Sequence, residues 1–161
     1  MFDKQHMPHG KVRAFCKKES FPMSVETNKA TARRFIEEEF NQNQSQSTLE
    51  FAAQDYINHD PTGKATSGAS QNLASFRAAF PDLHATITQI LGEGDLVAVQ
   101  WTARGTHQGP VAHLPSEFAL PGTGNTVTVT GLSLLRFSGD RLAEVWNHWD
   151  AYHLLRQIRP A

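Results

Sequence analysis

At Leu83 the chain changes its period, and that change leaves few folds open. Leu83 to Leu91 alternates loosely, and Gly92-Glu93-Gly94-Asp95 forms a turn. Leu96 to Arg104 then alternates strictly, with Val97, Val99, Trp101 and Ala103 on one side. Such alternation is the signature of a half-buried strand, and the two segments read as an antiparallel hairpin. A loop rich in glycine and proline follows from Gly105 to Gly124, and then a long β run from Asn125 to Ser138. Gly139-Asp140 turns the chain, Arg141 to Asp150 is the last strand, and Ala151 to Ile158 is a short closing helix.

The half before Leu83 follows the other period. Ala32, Phe35, Ile36 and Phe40 mark a helix over 25–40, opened by Ser24 as N-cap. A short helix around Leu49–Ala53 leads into Tyr56-Ile57-Asn58-His59-Asp60-Pro61, ended by Pro61 and Gly63. A further helix runs over 67–80, with Ala69, Leu73, Phe76 and Phe80 on one face and Pro81-Asp82 at its end. Helices first and strands after predict an α+β fold. Its curved antiparallel sheet has at least four strands, with the N-terminal helices packed on one face as a cone around a pocket.

The bulk numbers set limits. A chain of 161 residues with 39% apolar and 19% charged residues suits one folded domain. The domain is placed at 23–161, behind a basic extension, 1–22, read as a mobile tail. A net charge of −1 gives no general pull toward nucleic acid or an anionic membrane. No apolar run reaches the roughly 18–20 residues of a membrane span. With no apolar leader segment, a cytoplasmic protein is expected. The lone Cys16 rules out an internal disulfide and, lying in the extension, makes a poor nucleophile. GxGxxG, P-loop and GxSxG patterns are absent, and His59, His107, His148 and His153 lack metal-site spacing, so no metal is expected.

The last strand, Glu144-Val145-Trp146-Asn147-His148-Trp149-Asp150, carries the most chemistry. Alternation puts Trp146, His148 and Asp150 on one face and Val145, Asn147 and Trp149 on the other. A carboxylate beside aromatic rings is a candidate general base, because desolvation raises its pKa toward working pH. Asp150 is equally placed to cap the closing helix, and from spacing alone that is the simpler reading. Arg136 is a candidate oxyanion stabiliser or carboxylate anchor; the plainer reading is an edge arginine, or an ion pair with Glu144 or Asp150. His59 and His107 stand where loops would rim a pocket mouth and could move a proton, although a lone histidine is more often structural.

From Met23 to Ile158 the sequence resembles the SnoaL-like polyketide cyclases of the cone-shaped nuclear transport factor 2-like superfamily. The resemblance lies in an ordered series of stretches: Asn58-His59-Asp60-Pro61, Phe80-Pro81-Asp82-Leu83, Gly92-Glu93-Gly94-Asp95, and Trp101 to Gly109. It continues through Pro121-Gly122-Thr123-Gly124, Arg136-Phe137, Trp146 to Asp150, and Leu154-Leu155-Arg156-Gln157. It implies ring closure by intramolecular aldol condensation without a cofactor, on a small hydrophobic carbonyl substrate. Asp150 would be the base, with His59, His107 and Arg136 polarising the carbonyl. Phe35, Phe76, Trp101, Trp146 and His148 would line the pocket. The resemblance tips Asp150 from cap to base, and it implies a homodimer formed across the sheet's outer face. A dehydratase, a ketosteroid-isomerase-like enzyme and a non-catalytic ligand-binding or dimerisation module stay open. The segment 111–121 and the basic extension depart from the family pattern.

Overall fold

The computed structural model describes residues 24–42, 50–59, 65–67, 71–112 and 114–159. The extension 1–22, Cys16 within it, and the stop signals Pro61 and Gly63 lie outside the described residues.

Helix α1 (Val25–Arg34) opens as expected. The Ser24 hydroxyl accepts from the Thr27 N–H at 3.2 Å. The helix then widens into a π-helical segment, Phe35–Asn41. This segment sets Phe35 and Ile36 fully into the core. Its last residue acts as a surrogate peptide: Asn41 Nδ2 donates to the Ala85 carbonyl at 3.0 Å, and the Ala85 N–H donates to Asn41 Oδ1 at 2.8 Å. One side chain thus satisfies a strand's donor and acceptor together and fixes the helix end to the sheet.

The sheet has six strands: β1 (Ala52–His59), β2 (Ala65–Ser67), β3 (His84–Glu93), β4 (Leu96–Thr106), β5 (Thr126–Ser138) and β6 (Arg141–Trp149). Their order is β2-β1-β6-β5-β4-β3, so the curved sheet does not close. The hairpin β3–β4 and the long pairing β4–β5–β6 are antiparallel, as the alternation requires. Helices α2 (Gln71–Ala79) and α3 (Ala151–Ile158) complete the domain. No described helix is long and apolar enough to cross a membrane.

Two expectations are corrected. The stretch around residues 52–59 is not a helix leading to a loop but strand β1, parallel to β6, with Asn58 opposite Val145 and His59 opposite Trp146. Its order comes from that pairing, a tertiary term that overrides local preference. Of the helix expected over 67–80, Gln71–Ala79 is helical, whereas residue 67 belongs to β2 at the sheet edge, antiparallel to β1.

One face of the sheet is covered by helices and holds the core. Val97, Val99, Trp101 and Ala103 point there from β4; Val127, Val129, Leu135 and Phe137 from β5; Leu142 and Val145 from β6. Each aliphatic or aromatic side chain so buried contributes roughly 1.5–3 kcal/mol. Phe35, Ile36 and Tyr56 cluster with the β4 and β6 residues and with Leu135 and Phe137; a second cluster joins Val127 and Val129 to α2, α3 and Phe118, and Trp149 packs against both. Gly131, opposite Trp101, makes room for the largest of these rings. A Cβ at Gly131 would stand 2.3 Å from Trp101 Cζ2, so the indole lies directly over a bare backbone.

Candidate active site

Seated on Gly131, the Trp101 indole starts a line of hydrogen bonds across the concave face. Trp101 Nε1–H donates to Ser133 Oγ at 2.9 Å, and the Ser133 hydroxyl donates to Asn147 Oδ1 at 2.6 Å. Asn147 Nδ2–H in turn donates to Asn58 Oδ1 at 2.8 Å. The series crosses β4, β5, β6 and β1 with every donor pointing the same way. Aligned hydrogen bonds in a low-dielectric interior polarise one another, so the amide near the far end is a stronger donor than a solitary one. Ser133 is fully buried and Asn58 nearly so, while Asn147 is only half-buried. An amide nitrogen has two hydrogens, and one of Asn147's is used. The other is available to an acceptor on the concave side.

His107 lies at the end of β4, fully buried beside Phe80, with ring centroids 5.4 Å apart. Its Nδ1 accepts from the Thr123 N–H at 3.3 Å, and the Thr123 hydroxyl lies 3.0 Å away. A nitrogen that accepts carries no proton, so the neutral ring keeps its hydrogen on Nε2, which is buried. Burial holds the His107 pKa below the ordinary histidine value. The sign of the pH effect follows. Below about pH 6.5 the unfolded chain takes up a proton that the folded chain refuses. Stability is therefore full above that pH and falls until the folded imidazole itself titrates. We expect the Tm of the native protein to drop more steeply between pH 7.5 and 5.5 than that of His107→Gln. Parallel slopes in thermal melts would show that His107 does not govern this loss.

The other candidates divide between the faces. Arg136 and Glu144 form an ion pair on the outer face, away from the helices. Glu144 also meets His59 Nε2 at 2.7 Å. The His59 ring stacks on Trp146 at 5.1 Å and 1°, and the Arg136 guanidinium lies 5.2 Å from the same indole. His59, Arg136 and Trp146 thus form one cluster with Glu144, but not inside the cone. His148 is exposed on the same outer face. Trp146 and His148, expected as pocket lining, and His59 and Arg136, expected to polarise a substrate carbonyl, are thus brought together on the outer face and not inside the cone. β6 does alternate as read, and the helices cover its other face, the one bearing Val145, Asn147 and Trp149.

Asp150 also differs from its expected setting. Its side chain is exposed, not enclosed in a dry hollow, and its Oδ1 accepts from the His153 N–H at 2.7 Å as the N-cap of α3. The strand ends one residue earlier, at Trp149, and Asp150 stands where the chain passes from β6 into α3. Trp101 lies in the core under the helices. Phe35 is deep core, in edge contact with Phe40 at 6.2 Å. Phe76 is half-buried and packs against Trp149 at 5.4 Å.

Ser133, Asn147 and Asn58 were not singled out from the sequence. A signal did exist: Ser133 interrupts the inward series Val127, Val129, Leu135, Phe137, and a polar residue at a core position needs a partner. No group of three or more potential metal ligands occurs among the described residues.

The same architecture is found in solved structures. A proposed SnoaL-like polyketide cyclase from Jannaschia superposes with a TM-score of 0.74 at 21% identity, over 85% of this chain and 95% of its own. A proposed polyketide cyclase from Acidithiobacillus ferrooxidans gives 0.71 at 26% identity, over 85% and 98%. IdmH from Streptomyces antibioticus, also a proposed polyketide cyclase, gives 0.68 at 28%, over 81% and 96%. No curated protein matches the sequence. The fold is therefore the cone of the nuclear transport factor 2-like proteins. The family profile of the SnoaL-like polyketide cyclases matches residues 30–158, and the chain belongs to that family.

Proposed function

We propose that the protein is a cofactor-independent acid–base enzyme of the polyketide-cyclase type, which removes a proton α to a carbonyl and closes a carbon–carbon bond in the same site. Family membership supports the class. Within this chain the reading rests on the hydrogen-bonded series that reaches Asn147, three residues before Asp150 on the same strand end.

Asp150 is the base. Its Oδ1 is engaged by the His153 N–H, and Oδ2 takes the proton from carbon. The released electron pair moves onto the carbonyl oxygen, which accepts the spare Asn147 N–H. The enolate carbon attacks a second carbonyl of the folded substrate, a C–C bond forms, and the resulting alkoxide recovers the proton from Asp150. A substrate lying over this carboxylate would exclude water from it. Holding the two reacting carbons in contact supplies a further large part of the rate.

Exchange at carbon tests this without knowledge of the natural substrate. Incubated in D2O with a simple aryl β-ketoester, the protein should speed loss of the α-proton NMR signal above the buffer rate. Binding of the probe with exchange at the buffer rate would instead identify a ligand-binding module.

A further inference from the structure

Among the described residues, Arg77 is the cation whose nitrogens are buried without a hydrogen-bond partner. Arg77 lies on α2, where Leu73 is buried, the half-buried Phe76 reaches Trp149 on the concave side of the sheet, and Phe80 enters the core just past the helix end. At about 100° per residue, Arg77 stands on the flank of that face, beside Leu73. Its Nε and Nη2 are sealed from solvent and make no hydrogen bond. No carboxylate among the described residues lies within ion-pair distance of it.

This is costly. A buried polar group without a partner loses its hydration and gains nothing in return. A guanidinium cannot escape the cost by giving up its proton, because it stays charged in proteins. Burial does lower the Arg77 pKa, which reports the same penalty from the other side. Arginines whose role is only structural have a carboxylate or carbonyl on these nitrogens; this one has neither.

The identity of the empty atoms says what would fill them. Nε–H and Nη2–H lie along one edge of the guanidinium and point in parallel, which matches the two oxygens of a carboxylate. The neighbours Leu73, Phe76 and Phe80 suit an organic anion with an apolar skeleton better than a small hydrated ion. We propose that Arg77 is a specificity-determining residue that receives the carboxylate of the substrate. The assignment builds on the reading of the concave face as a substrate site and adds the substrate's charge. No water-sized space adjoins the empty edge, so the side chain must rotate to meet its ligand. On the Nε–Nη2 edge that rotation breaks no hydrogen bond.

Benzoate and its neutral isostere benzamide provide the test, read by thermal shift and by NMR titration. Benzoate at millimolar concentration should raise the Tm of the native protein, and benzamide should not. The shift should vanish in Arg77→Gln and weaken in Arg77→Lys, which keeps the charge but not the fork. Without ligand, Arg77→Met should melt at or above the native protein, because an unmatched cation has been removed. Equal shifts with both probes would overturn the proposal, as would a benzoate shift that survives in Arg77→Gln. So would an Arg77→Met variant that melts well below the native protein or does not fold, since that marks a structural arginine. The comparison of probes on the native protein needs no variant and no turnover. A failure here is therefore distinct from a failure of carbon-proton exchange.

Discussion

Asp150→Asn should slow α-proton exchange by about 10²–10⁴-fold, the usual contribution of a positioned general base, while leaving the melting temperature almost unchanged. The two halves of this expectation come from the two jobs of one side chain. As a cap, Asp150 offers Oδ1 to the His153 N–H, and an asparagine carbonyl can do the same, because the two residues are similarly effective N-caps. As a base, Asp150 needs an ionised oxygen, which asparagine lacks. Asp150→Ala separates the roles from the other direction: it should lose the same activity and, in addition, about 1 kcal/mol of stability through the lost cap. Rates are to be measured by NMR in D2O and stabilities by urea denaturation. If Asp150→Asn exchanges carbon protons within twofold of the native rate, the carboxylate is a cap alone and the proposed base is wrong.

The exposure of that carboxylate shows where sequence reasoning reaches its limit. Alternation along β6 correctly divided Trp146 and His148 from Val145, Asn147 and Trp149. It could not say which set faces the helices, because each set mixes an aromatic ring with a polar side chain. Packing decides it: Trp149 joins both apolar clusters, and Trp146 is left outside to be covered by His59 and Arg136. Strands β3 to β6 were legible because their inward positions are apolar apart from Ser133 and Asn147, and their turns carry Gly94 and Gly139, both at positive φ. Strand β1 was not. Its inward positions include Asn58, and it is held between the short edge strand β2 and its parallel neighbour β6, some 85 residues further along the chain. Residues that pair so far apart leave no local period to read. Arg77 was invisible for a related reason: an arginine on a helix flank reads as solvated until the burial of its nitrogens is known.

Asn147→Leu should produce the other large effect, a fall in turnover of roughly 10²–10³-fold, comparable to removing one oxyanion donor elsewhere. The substitution keeps the volume of the side chain but removes both ends of its amide. Ser133 then loses its acceptor at 2.6 Å and Asn58 its donor at 2.8 Å, both well inside the domain. Each orphaned group costs about 1–3 kcal/mol, so stability also falls, and the catalytic loss has to be separated from it. Ser133→Ala makes the separation. It breaks the series one step earlier and strands the Trp101 Nε1–H, yet leaves the Asn147 amide in place with its second hydrogen. If Asn147 donates to the developing oxyanion, Ser133→Ala should cost stability like Asn147→Leu but only a few-fold in kcat, through a weaker donor. Should kcat instead follow stability across Trp101→Phe, Ser133→Ala and Asn147→Leu alike, the series holds the strands together and the oxyanion must find its hydrogen bond elsewhere. The comparison has force because all three residues lie on one hydrogen-bonded line, and the proposal brings only Asn147 into contact with the substrate.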